Sequence, residues 1–133
     1  MNSFNVYGQT ETKIGGHTPV WLGTVKPIPV GAKGHRDGEG YMFIPAGTAC
    51  VYSPETGTFS AVLDPNDAGG SFIKSANAYV YNDIYVEGTA DYTCALVMHH
   101  PEGLLIERVY PEITEEQIQA LQAQIPGVLL IRG

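Results

Sequence analysis

From Tyr41 onward the chain alternates short apolar runs with turn signals, and runs this short are of strand length rather than helix length. Tyr41-Met42-Phe43-Ile44 reads as a strand. In Ile44-Pro45-Ala46-Gly47, Pro stands second and Gly fourth, as a type I turn prefers, because Pro presets φ. Residues 48–52 form a second strand, Ser53-Pro54-Glu55-Thr56-Gly57 repeats the turn chemistry, and residues 58–63 form a third. Such pieces bury their apolar sides only by packing strand on strand. The expected fold is therefore mainly β: a compact sandwich or barrel-like domain of short strands. The 16 Gly and 9 Pro agree, since both favour turns over long helices.

The pattern continues toward the C-terminus. Residues 78–81 and 84–86 read as two short strands parted by Asn82-Asp83. Tyr92-Thr93-Cys94-Ala95-Leu96-Val97-Met98 is nearly continuous in apolar character, as a strand buried on both faces should be, and is the candidate central strand. His99-His100-Pro101-Glu102-Gly103 is expected to turn, and residues 104–109 to pair back. One short helix follows. Thr114 and Gln117 have the spacing of a capping box, Glu115 and Glu116 suit the positive end of the helix dipole, and Ile118, Leu121 and Ile125 make one apolar stripe. Pro126-Gly127 ends it, and Val128-Leu129-Leu130-Ile131 closes the domain as a strand.

Residues 1–40 differ, with eight of the 16 Gly and few apolar residues. Phe4-Asn5-Val6-Tyr7 and Pro19-Val20-Trp21-Leu22 are strand-like islands, and residues 24–40 read as an extended linker. Such a segment cannot bury enough surface to offset its ordering entropy alone. It is either a loose terminus or an arm that becomes ordered by adding a strand to a partner's sheet. Trp21 is correspondingly either an anchor onto its own domain or an interface hot spot.

The chemistry-bearing residues are sparse. His99 and His100 with Glu102 invite a metal reading, but neighbours on a strand point to opposite faces, and solvated turn histidines are the favoured account. His35-Arg36-Asp37 spells the start of a kinase catalytic loop without the partners that loop requires. Residues 64–70 superficially suggest a calcium loop, yet Ser75 stands where the twelfth-position Glu is needed. Gly31-Ala32-Lys33-Gly34 lacks the strand-then-helix setting of a phosphate cradle. Asp83, Glu87 and Asp91 read as solvated loop charges, and Tyr79, Tyr81 and Tyr85 as sheet packing before an aromatic platform. Cys50 and Cys94 read as buried strand thiols. No nucleophile, base and orienter set is present, so neither an enzyme nor a cofactor is expected. The net charge of −7 with scattered Lys and Arg argues against nucleic acid, no apolar run is long enough to span a bilayer, and no secretory pattern opens the chain.

In order along the chain stand Phe43-Ile44-Pro45-Ala46-Gly47-Thr48, then Asn77 through Val86, then Ala95-Leu96-Val97-Met98. Tyr110-Pro111-Glu112-Ile113-Thr114-Glu115-Glu116-Gln117 comes last, running to Leu130. This succession resembles the head-decoration and head-fibre proteins of tailed bacteriophages, which share a Pro-Ala-Gly-Thr turn, a strand pair leading into a valine-rich strand, and a terminal helix. The resemblance covers residues 41–131; the His99–His100 turn departs from the plainer Gly-centred turn expected there. It implies a homotrimer on the capsid exterior, made in the bacterial host cytoplasm, that clamps the major capsid protein. Residues 1–40 would be the capsid-directed arm, with Phe4, Val6 and Tyr7 pairing with coat protein and Trp21 as anchor, and residues 41–133 the β domain. The rival readings are a receptor- or glycan-binding β module using the tyrosines of residues 79–85, and a small metal-dependent enzyme using His99, His100 and Glu102.

Overall fold

The computed structural model describes residues 19–28 and 31–132. Among them the fold is mainly β. The strands are β1 (Ala32–Arg36), β2 (Tyr41–Ile44), β3 (Ala49–Ser53), β4 (Thr58–Ala61), β5 (Ala78–Val80), β6 (Ile84–Glu87), β7 (Ala90–Cys94), β8 (Leu96–Val97), β9 (His100–Leu105) and β10 (Val128–Ile131). The helices are α1 (Ser71–Ser75), α2 (Ile106–Val109) and α3 (Glu115–Gln124), with a 3₁₀ turn at Asp67–Gly70 before α1.

Six strands form one sheet in the order β7-β1-β4-β3-β5-β8. Its two ends, β7 and β8, are consecutive in the chain and separated by Ala95 alone. The sheet must therefore curl until its ends meet at that residue, where the Ala95 carbonyl accepts from Tyr81 N at 3.0 Å. Two smaller pairs complete the fold: antiparallel β2–β6 and parallel β9–β10.

Strand alternation sorts side chains into two cores. Ile44, Cys50, Phe59, Ala78, Val80, Ile84, Val86, Cys94 and Leu96 fill the inside of the curl, closed by β2–β6. On the opposite face, Ala49, Tyr79 and Val97 pack against Val20, Leu104, Ile106, Tyr110, Ile118, Leu121 and Val128. Neighbours in β3 (Ala49, Cys50), β5 (Ala78, Tyr79) and β8 (Leu96, Val97) thus serve different cores. That accounts for continuous apolar runs in strands only two to five residues long.

The C-terminal helix forms as its residues predict: Thr114 accepts from Gln117 N, and the Gln117 side chain returns a bond to Thr114 N. Other expectations are corrected. The linker expected over residues 24–40 contains β1, which pairs antiparallel with β7 along its whole length, Ala32↔Cys94 to Arg36↔Ala90. Its Lys and Gly hide the strand, and long-range pairing supplies what propensity does not. The turn after Ile44 does not join paired strands. β2 pairs with β6, while β3 forms its hairpin with β4. Gly47 makes that redirection possible: its φ is +85°, and a Cβ there would lie 2.8 Å from Val109 and 2.9 Å from Leu104. The run at residues 92–98 is not a central strand, because it bends at Ala95 and supplies both sheet ends. Residues 99–103 are not a turn, since β9 begins at His100. Residues 106–109 coil into α2 rather than extend, and α1 adds a further helical turn.

Candidate binding surfaces

The segment 19–23 lies along β9 like an added strand. Leu105 N donates to the Val20 carbonyl at 2.8 Å, Leu22 N donates to the Gly103 carbonyl at 2.9 Å, and Trp21 bridges to Leu104. Val20 is buried among the residues outside the curl. The Trp21 ring is half-buried, donates from Nε1 to the Tyr81 carbonyl at 2.8 Å, and meets the edges of Tyr79 and His100. Of the two readings of Trp21, the structure shows an anchor onto its own domain. Arg108 holds the Pro19 carbonyl at 2.8 Å. Phe4, Val6 and Tyr7 lie outside the described residues.

His100 belongs to this mooring. It is 1% exposed, so it is no solvated turn residue. Its Nε2–H donates to the Leu22 carbonyl, and Nδ1 lies 3.4 Å from a Glu102 carboxylate oxygen. His99 faces solvent instead. The two histidines are not brought to one point, and among the described residues no group of three His, Cys, Asp or Glu could hold a metal ion. In the loop resembling a calcium site, Asp64 accepts from Asn66 N at 2.9 Å as an ordinary turn.

A second surface is polar. β1 and β4 are in register only at Lys33↔Thr58, then part. The resulting open groove of about 660 Å³ is lined by Lys33, His35, Ser60, Asp91 and Thr93, over the edge-to-face rings of Phe59 and Tyr92. His35 bonds through Nδ1 to Asp91 and through Nε2 to Asp37 at 2.9 Å. These bonds, that to Asp91 first, hold its pKa above the usual 6.5. Both ring nitrogens are engaged, so this histidine has no lone pair free to act as a base. Asp91 is thus paired. Asp83 accepts from Ala46 N at 2.8 Å, and Glu87 lies on β6, so the three carboxylates do not converge.

The third surface is aromatic. Tyr79 and Tyr81 pack into the sheet's core, as the favoured reading has it, and the alternative of a shared platform with Tyr85 does not form. Tyr79 is fully buried, its hydroxyl meets no hydrogen-bond partner among the described residues, and burial pushes its pKa up. Tyr81 packs half-buried against the same core. Tyr85 points outward instead, with its ring 4.7 Å from Phe43 on the paired strand. Tyr41 lies two residues from Phe43 and is 73% exposed. Sequence reasoning missed Tyr41 and Phe43 as surface residues, although the Tyr-x-Phe spacing placed both on one strand face.

Cys50 and Cys94 are free and buried, as read from the sequence, and burial pushes the Cys50 thiol up to about 12. Neither is a reactive nucleophile in this state. No family model matches the chain, and no curated protein or solved structure does either.

Proposed function

We propose that this chain is a non-catalytic structural protein that binds the exterior of a tailed-phage capsid and stabilises it, as a decoration protein or the base of a head fibre. Its partner is the major capsid protein, and it works as a homotrimer. The observation that supports this reading is the mooring of residues 19–23. Trp21, Val20 and the buried His100 hold the start of the described chain against the domain, and residues 1–18 precede that point in the sequence. An arm that adds a strand to a coat subunit transmits load only if its root is held, and a half-buried Trp with a satisfied N–H holds it well. The acidic charge, −7 overall, suits an outer surface facing away from packaged DNA.

The mooring also selects the experiment. Deleting residues 1–18 spares the anchor, whereas a cut after Leu22 would remove part of the core. The shortened protein is expected to keep its circular dichroism and melting temperature and to lose co-sedimentation with undecorated heads of the phage that encodes it. Unchanged affinity would overturn the arm assignment. Light scattering that gives the mass of one chain, both free and on heads, would overturn the trimer.

A further inference from the structure

Strands β1 and β4 run parallel and then part. They are in register only at Lys33↔Thr58, where Lys33 N donates to the Gly57 carbonyl at 2.9 Å. Beyond that point each strand follows another neighbour: β1 stays with β7 to Arg36↔Ala90, and β4 stays with β3 to Ala61↔Cys50. Lys33 turns its backbone N–H toward β4, so His35, two residues on, faces the same way. Val62 N donates to the Ala49 carbonyl on the β3 side, so Ala61 turns its backbone groups the other way, toward β1. Both residues therefore present N–H and C=O to the opening, with no strand partner there among the described residues. The opening is the groove of about 660 Å³, within the size of ligand sites at about 300–1,000 Å³. Phe59 and Tyr92 meet edge to face on its floor. Gly34 leaves room for that floor, since a Cβ there would lie 2.4 Å from the Tyr92 ring.

We infer that this groove binds the C-terminal end of an extended peptide, which enters as a short strand between β1 and β4. Two facing strand edges match the alternating donors and acceptors of an extended backbone. The groove is closed at Lys33↔Thr58, so it admits a chain end, whereas a strand passing through would have to break that pairing. Charge selects which end. Asp91 and Asp37 are both turned onto His35. Lys33 stands exposed at the closed end, and no described carboxylate pairs with it. Its ammonium attracts a terminal carboxylate and repels a terminal amine. The net charge of −7 is spread over the chain, and charges beyond about 8 Å are largely screened at physiological salt, so the local set decides. Side chains of the bound end that point inward meet Phe59 and Tyr92, which favours an apolar residue there. This binding is a further activity and does not depend on the capsid reading.

The test uses the full chain against a library of hexapeptides tethered through their N-termini, each made as the free acid and as the carboxamide. Calorimetry follows with the tightest free acid. At least one free acid is expected to bind, with its carboxamide roughly tenfold weaker, the scale of one charge-assisted hydrogen bond. Lys33→Met should erase that preference and Lys33→Arg should keep it. Lys33 is exposed, so both variants should hold the parent's melting temperature. Methylating the backbone nitrogens of the peptide removes its ladder donors and should abolish binding. Four results overturn the proposal: no free acid bound, carboxamides bound equally well, an acid preference that survives Lys33→Met, or undiminished binding of the methylated peptide.

Discussion

The two halves of the curled sheet share strand geometry and meet opposite environments. In β3, β5 and β8 both faces are buried, and adjacent residues feed different cores. In β1, β4 and β7 only the inner face is buried: Ala32, Phe59 and Cys94 point in, while Lys33, His35, Thr58, Ser60, Asp91 and Thr93 point to water. The difference lies in what covers the sheet. Helix α3, the β9–β10 pair and the moored segment 19–23 all lie over the first half. The chain thus spends its apolar surface on one half and leaves the other for polar contact.

That contrast can be tested by matched substitutions. The largest effect is expected from Leu121→Ala, which opens a cavity beneath the cover where the side chain is fully buried. It should lower stability by about 3 kcal/mol. Ser60→Ala on the bare half should stay within about 0.5 kcal/mol in the same urea titration, and equal losses would dissolve the distinction.

Tyr110→Phe sharpens it further. This buried hydroxyl accepts from Ala49 N at 2.9 Å and donates to the Val62 carbonyl, tying the cover to β3. Removing it leaves both backbone groups unsatisfied, at a cost of about 2 kcal/mol. Thr114→Ala breaks the capping box of the covering helix and should cost about 1 kcal/mol by thermal melting.

The smallest effect belongs to the bare half and depends on pH. The folded-state pKa of His35 is raised, by Asp91 before Asp37, so its charged form is favoured by folding. The stability it contributes is full below the unfolded value near 6.5 and is lost as pH rises through the folded pKa. His35→Gln should therefore lower the melting temperature at pH 5.5, and the difference should shrink as pH rises through the folded pKa. A constant difference across that range would show that the two carboxylates do not act through the charge.

Legibility depended on whether local chemistry and burial agree, not on which half of the sheet a strand belongs to. The capping box, the apolar stripe of α3 and the strands at β3, β4, β5 and β6 could be read because local chemistry and burial agree there. β1 escaped because Lys33, Gly34 and His35 have no strand propensity, and only pairing with β7 makes them a strand. His100 read as a turn residue because adjacent His, Pro and Gly look exposed, whereas the Leu22 carbonyl and the Trp21 ring bury it. The aromatic surface was half visible. Tyr85 was noticed, but its partners came from β2, which the turn chemistry had assigned to β3.

By itself the sequence determined that this chain is mainly β with one capped C-terminal helix, because turn residues, strand-length apolar runs and caps act within a few residues. Only the tertiary structure decided which strands meet, that Ala95 joins the two sheet ends, and which aromatics face water. Those outcomes depend on pairing energies between residues far apart in the chain, which no local pattern encodes.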